Sequence, residues 1–195
     1  PYGRNVWGTP PQGCADYAFQ QHIQKSLDLG NGRSISLWPH GILFRDAETA
    51  MRKKMIEQDQ VECVIGLGPN LFYNSPMEAC LLITKTNKEE SRKGKVLIIN
   101  AVKEVRQDKN IAYLEQCHIE RIYNAYTSYT DIDGFSKIIT IDEVLAHKAS
   151  LNMALYVSNV DSSKVQTSLD DALANWQKSS AKLATSMEQL FKELG

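Results

Sequence analysis

The sequence predicts an α/β fold: a mostly parallel sheet finished by an antiparallel hairpin edge, followed by a helical arm. Three observations carry this. Helix-type and strand-type hydrophobic periodicities alternate over the first hundred residues, in the order helix, strand, helix, strand, as crossover units do. Two further β-rich runs then follow each other across a charged connection, residues 87–94, as an edge hairpin would. Finally, a run of 195 residues with 43% hydrophobic and 23% charged side chains suits one ordinary domain plus an appendage.

Residues 1–13 hold three Gly and three Pro around Tyr2 and Trp7, a loop composition expected to be mobile with its aromatic rings exposed or half exposed. From residue 14 to about residue 29, Ala15, Ala18, Phe19, His22, Ile23 and Leu27 recur near helical spacing, and Gly30-Asn31-Gly32 stops the helix as a glycine cap would. Residues 33–38 alternate as a strand until Pro39-His40-Gly41 breaks it. Asp46 can start a second helix running to about Gln58, with Ala47, Ala50, Met51 and Ile56 on one side and Arg52, Lys53 and Lys54 favourable to its dipole. Strands are expected at 61–67, 78–84 and 95–101, the first two separated by the turn-rich residues 68–76.

Beyond Val102 the pattern changes. Leu114, Cys117, Ile122, Tyr126 and Tyr129 mark an amphipathic helix, residues 137–141 a short strand and residues 142–147 a helical turn. Residues 167–194 form one long helix candidate with Leu169, Leu173, Trp176, Leu183, Met187, Leu190 and Leu194 at 4-3-4-3 spacing, a coiled-coil-like stripe that needs a partner. The chain thus divides into a sheet domain at 1–101, an appended α/β subdomain at 102–160 and an interaction helix at 161–195.

Charge and composition exclude several classes. With 22 basic against 23 acidic residues, no global basic field advertises nucleic acid, so any DNA contact is local. The basic residues at 52–54 and 85–95 are interleaved with acids and read as solvated surface. No stretch approaches a membrane span and no signal segment opens the chain, so a cytoplasmic location is expected. Cys14, Cys63, Cys80 and Cys117 form no paired motif, and three or more of them lie in apolar runs, as buried reduced thiols do. His22, His118 and His147 lack ligating partners at metal spacing, so no metal site is expected.

Five blocks in one order carry a resemblance. They are Pro1-Tyr2-Gly3, Asp16-Tyr17-Ala18-Phe19-Gln20-Gln21-His22-Ile23, Leu37-Trp38-Pro39-His40-Gly41-Ile42-Leu43-Phe44-Arg45, Val64-Ile65-Gly66-Leu67-Gly68-Pro69-Asn70-Leu71-Phe72-Tyr73 and Lys93-Gly94-Lys95-Val96-Leu97. Over roughly residues 1 to 157 the chain resembles the methylation subunit of type I restriction-modification systems, an adenine-specific DNA methyltransferase. The resemblance implies the second half of a Rossmann-like methyltransferase sheet with a helical carboxyl-terminal arm. It further implies transfer of a methyl group from S-adenosylmethionine to the 6-amino group of a flipped adenine.

In that family the catalytic loop is Asn-Pro-Pro-Tyr/Phe, and Pro1 and Tyr2 match only its last two positions. Tyr2 would stack on the flipped base, and Phe72 or Tyr73 would hold its other face. His40 lies at the carboxyl end of a strand, where α/β sheets place ligands; it is expected to order its loop or touch DNA. The catalytic Asn, the first Pro and the glycine-bearing cofactor turn have no counterpart here, so the 195 residues alone are expected neither to bind the cofactor well nor to methylate DNA. The family's specificity and restriction subunits are the implied partners, with Leu169, Leu173, Trp176, Leu183, Met187 and Leu190 as the seam. The strand at 33–38 would expose a bare backbone edge, to be covered by residues 1–13 or by self-association. The competing reading is a non-catalytic α/β interaction module that docks partners through its terminal helix.

Overall fold

A computed structural model of the chain describes residues 3–109, 111–157 and 169–193. Pro1 and Tyr2 lie outside the described residues, as do the side chains of Leu169 and Leu190. The chain forms two units, Pro1–Asn159 and Val160–Gly195. In the first, the elements are α1 (Asp16–Ser26), β1 (Arg33–Pro39), α2 (Thr49–Glu57), β2 (Val61–Leu67), β3 (Ala79–Lys85), β4 (Lys95–Ala101), β5 (Arg106–Asp108), β6 (Ile111–Tyr113), α3 (Gln116–Ser128), β7 (Ser136–Thr140) and α4 (Ile141–Ala146).

All seven residues of β2 are buried, so this strand has layers on both faces and neighbours on both edges. The sheet order is β1-β3-β2-β4-β7. Only β2 and β4 run parallel; β1/β3, β3/β2 and β4/β7 are antiparallel. The α/β class holds, but the sheet is mixed, and β3 and β4 form no hairpin because β2 stands between them. The connection at 87–94 decides this. Lys88 donates to Asp59 and to the Lys95 carbonyl, and the Gly94 amide donates to Asp59, 3.0 Å away. These bonds stitch the connection across the start of β2 and deliver β4 to its far side.

In the 85–95 run Lys93 and Lys95 are exposed, as expected of solvated surface, but Lys88 is 5% exposed and Arg92 is partly buried, so the expectation fails at these two positions. Arg92 reaches the buried Glu62 carboxylate at 3.2 Å and lies over the Tyr129 ring at 4.5 Å, while Tyr126 Oη donates to Glu62 at 2.7 Å. The basic run at 52–54 needs the same correction at Arg52. Its buried guanidinium donates to the carbonyls of Ala149, Ile42 and Arg45 and to Thr49 Oγ1, at 2.6 to 3.3 Å. A helix that must bury Met51, Met55 and Ile56 also turns position 52 inward, and the charge is tolerated because these four oxygens accept from it.

Helix α1 turns a different face inward from the one its apolar residues mark. Tyr17, Gln20, Gln21 and Gln24 are buried, while Phe19 is 60% exposed. The sheet dictates this: β1 and β3 present Ser36, Trp38 and Thr84 to the helix. Gln20 Oε1 accepts from Ser36 Oγ and Trp38 Nε1, and Gln24 Oε1 accepts from Thr84 Oγ1. Each such bond contributes about 0.5–1.5 kcal/mol, whereas leaving the hydroxyls and indole unpaired under an apolar helix would cost more. The helix stops at Leu27 in extended conformation, not at a glycine cap; Asp28 then accepts from the amides of Gly30 and Asn31. A Cβ at Gly32 would lie 2.4 Å from the Asp28 carbonyl, so only glycine fits that turn.

Trp7 is 1% exposed, contrary to the expected exposed loop aromatic. Its amide donates to Gln21 Oε1 and its indole to Gln58 Oε1, while Lys54 donates to its carbonyl. Residues 3–13 are thereby anchored on α1 and α2 and do not pair with β1, whose outer edge has no strand partner among the described residues. Beside that edge, the exposed Ile35 joins Leu81, Ile83 and the α3 residues Ile119 and Tyr123 in an apolar groove of about 270 Å³.

Residues 102–157 contribute to the same sheet and core. β7 pairs with β4, and Val144, Leu151, Met153 and Val157 pack with Val64, Leu82 and Ile98 on the α2 face. On the other face α3 covers Ile65, Leu97 and Ile99 with Ala125, Ile122 and Tyr126. The second unit contains α5 (Leu169–Glu193). Its Leu173, Trp176, Leu183 and Met187 are 47–67% exposed. The coiled-coil expectation for this stripe lacks support.

Candidate functional site

Register brings three loops to one end of the sheet. Pro39 and Leu67 both lie opposite Ala79, and Leu67 also lies opposite Ala101. The carboxyl ends of β1, β2 and β4 therefore coincide, and residues 40–45, 68–78 and 102–113 emerge together where open α/β sheets receive ligands.

The loop at 68–78 forms a cavity of about 430 Å³ with Leu71, Phe72, Tyr73 and Pro76 in its wall and Ile111 from β6 facing them. Positive φ at Asn70 and Asn74 turns the loop, and Phe72 pairs with Ser75 through a 3.1 Å bond from the Ser75 amide to the Phe72 carbonyl. The Ala112 amide donates to the Asn70 carbonyl at 2.9 Å, tying loop to hairpin. Phe72 is 37% exposed and Tyr73 is 94% exposed. Both sequence-expected aromatic residues thus line the cavity, with Phe72 the anchored one.

His40 opens a 3-10 turn after β1. Its Nδ1 lies 2.9 Å from Glu78 Oε2, and its amide donates to the Glu78 carbonyl at 3.4 Å. The loop-ordering expectation for His40 now has a geometry. Glu78 had no signal in the sequence, because only the antiparallel register of β1 on β3 sets it beside His40.

Whether this end can cradle a nucleotide cofactor is tested by its glycines. A Cβ at Gly41 would lie 2.5 Å from Arg45 Nε, one at Gly66 2.1 Å from Met153 Sδ, and one at Gly68 2.5 Å from the Val102 carbonyl. Each glycine makes room for a group of this chain, not for a ligand. The described residues do not fit a glycine-turn cofactor cradle.

Beneath the turn at 40–45, Arg45 Nη1 lies 2.7 Å from Asp16 and 3.6 Å from Glu48. The Glu48 side chain is fully buried and neither oxygen has a hydrogen-bond partner among the described residues. Burial raises its pKa, an effect that Arg45 offsets only in part. The folded state therefore holds a proton that the unfolded state releases, and stability falls as pH rises from the ordinary glutamate range through the raised value. Glu48→Gln removes that slope. The melting temperature of Glu48→Gln should gain on that of the parent between pH 4 and pH 7; parallel curves would show the carboxyl to be adequately paired.

Two of the four cysteines, Cys63 and Cys80, are buried, and burial pushes the Cys80 thiol up to about 12. Cys117 is exposed and Cys14 half-buried, so the expectation of at least three buried thiols is corrected. His118 also has the neighbours that sequence spacing denied it: ligand atoms of Glu115, Cys117 and His118 lie within 4.8 Å of one another. A capping box accounts for two of them. Glu115 accepts from the His118 amide, His118 Nδ1 accepts from the Glu115 amide at 3.2 Å, and Arg106 occupies Glu115 Oε1 at 2.7 Å.

A family model described as N-6 DNA Methylase matches residues 2–165. The chain is 35% identical over 160 residues to the type I restriction enzyme MjaVIII methylase subunit of Methanocaldococcus jannaschii, covering 80% of this chain and 27% of that protein. It is 30% identical over 167 residues to the type I restriction enzyme HindI methylase subunit of Haemophilus influenzae, covering 81% and 37%. The solved type I restriction-modification methyltransferase subunit from Streptococcus thermophilus matches at TM-score 0.71 and 36% identity, covering 76% of this chain and 31% of that one. The chain spans about 27% of the length of the first two curated relatives.

Proposed function

Since the chain belongs to the N-6 DNA methylase family of type I restriction-modification systems, we propose that it forms the base-binding side of an adenine-specific DNA methyltransferase. One observation carries the reading: Phe72, half exposed, lines an aromatic cavity at the carboxyl ends of the strands. A flipped base leaves the stack at a cost of a few kcal/mol, and a ring of this kind returns about 1–3 kcal/mol by stacking. Phe72, better anchored than Tyr73, takes one face of adenine, and Tyr2 takes the other as the last residue of the Asn-Pro-Pro-Tyr loop to which Pro1 also belongs.

S-adenosylmethionine is the methyl donor of this proposal. Because Gly41, Gly66 and Gly68 are filled from within, the described residues contribute to the base and not to the cofactor. The 195 residues by themselves are accordingly expected to give no methyl transfer.

The exposed stripe of α5 supplies the partner surface of the proposal. Leu173, Trp176, Leu183 and Met187, with Leu169 and Leu190 in the same heptad register, suit a helix of the specificity subunit, through which the restriction subunit and the DNA target are brought in. The open edge of β1 and the apolar groove beside it favour self-association when nothing else covers them. No described helix is long and apolar enough to cross a membrane, and the proposed location is the cytoplasm.

The test is reconstitution of these residues within a methylase subunit of the relatives' full length, together with a specificity subunit and duplex DNA. Phe72→Ala should slow methylation by about 10- to 100-fold, the kinetic equivalent of the stacking energy, and Tyr73→Ala by less. Leu183→Asp should reduce capture of the specificity subunit. An unchanged methylation rate in Phe72→Ala removes the stacking role. Unchanged capture removes the seam; capture lost with methylation absent throughout favours the non-catalytic interaction module.

A further inference from the structure

We propose that His40 and Glu78 are a positioning pair that fixes the loop at 68–78, and with it Phe72, over the end of the sheet. The inference deepens the reading above and rests on it for its catalytic consequence, though not for its geometry.

His40 spans three strands. It follows β1, its Nδ1 meets Glu78 just before β3, and its Nε2 would be 3.4 Å from a Cβ placed on Gly66 near the carboxyl end of β2. Gly66 is expensive in a central strand, where it adds no packing and weakens the backbone. It is present because Met153 uses the space its side chain would fill, and the His40 ring packs at the edge of that space. The ring is therefore set from below by packing and from the side by the Glu78 carboxylate, 2.9 Å from its Nδ1.

Its polarity points the same way. The His40 side chain is 15% exposed, and its Nε2 is buried without a partner among the described residues. Nδ1 lies against the Glu78 carboxylate, whereas Nε2 has no polar partner of this kind among the described residues. If the ring served only to fill the gap above Gly66, an apolar side chain would do so without an orphaned nitrogen. The one contact that requires an imidazole is the bond to Glu78, and Glu78 closes the loop that carries Phe72. The second bond of the pair, from the His40 amide to the Glu78 carbonyl, fixes the same junction through the backbone. The other end of the loop is already held by Gly68 against Val102 and by Asn70 on Ala112, so Phe72 is clamped from both sides.

Hydrogen exchange followed by mass spectrometry on the full chain tests the pair without any assay of activity. Glu78 is partly exposed at its carboxyl, so Glu78→Ala folds; it should speed exchange at residues 69–77 by about tenfold while β2 and β3 keep their protection. His40→Leu, which fills the gap but cannot bond, should do the same, and the double variant should add nothing. Glu78→Gln retains an acceptor oxygen and should restore slow exchange. Unchanged exchange in Glu78→Ala overturns the pair. In the reconstituted methyltransferase Glu78→Ala should lower kcat and leave the KM for DNA near that of the parent. A loosened loop with full methylation in both Glu78→Ala and Phe72→Ala keeps the pair as a loop clamp and refutes the base-stacking reading instead.

Discussion

Arg52→Ala should lower the stability of the sheet-containing unit by about 3–4 kcal/mol, read as a lower urea midpoint with an unchanged slope. The Arg52 guanidinium holds distant segments together. It is buried and donates to three carbonyls and one hydroxyl, and those carbonyls belong to segments far apart in sequence: Ile42 and Arg45 after β1, and Ala149 near the end of the unit. Removing the donors leaves the oxygens buried and unpaired, the costly half of the exchange. A second cost follows at Ala149, which with Lys148 sits at φ 54, a left-handed conformation that non-glycine residues hold only under constraint. The bond from Arg52 Nε to the Ala149 carbonyl is part of that constraint. Arg52→Met, which replaces the volume but no donor, should recover less than half of the loss; full recovery would show that packing alone mattered.

Arg92→Ala is expected to cost about 3–5 kcal/mol by leaving Glu62 as an uncompensated buried charge. Glu62 is 1% exposed on a strand buried along its whole length, and its remaining partner is the Tyr126 hydroxyl. Burial and Glu62 together hold the Tyr126 hydroxyl at about 12, so it stays a donor, but a neutral donor does not balance a carboxylate as Arg92 does. Replacing both members, as Glu62→Leu with Arg92→Met, should cost less than Arg92→Ala alone, because no charge is then left behind. Chemical denaturation of the single and double variants decides it. Simple additivity of the two single losses would mean that the residues are not coupled.

Both residues lie in runs that the sequence assigns to solvent, and the reason is instructive. A string such as Arg52-Lys53-Lys54 carries no sign of which cation faces inward. Lys53 pairs with Glu57 at the surface, Lys54 caps the Trp7 carbonyl, and Arg52, one position earlier, is enclosed. The buried glutamines of α1 follow the same logic from the other direction: Phe19 and Ile23 suggest one face, but the hydroxyl-bearing strands beneath select another. Glu78 became visible as a partner of His40 only through the register of β1 on β3.

What the sequence determined by itself was local and ordered. The placement of the strands and helices came from hydrophobic period and turn residues, and the family came from five motif blocks in one order. Phe72, Tyr73 and His40 were found as candidates from those blocks alone. The tertiary structure decided which strands pair, which charges are buried, and that the glycines at the sheet's end accommodate Arg45, Met153 and Val102. The physical reason is range: period and capping are encoded within a few residues of each position, whereas burial and pairing depend on partners that folding brings from 30 to 100 positions away, such as Glu62 for Arg92 and Ala149 for Arg52.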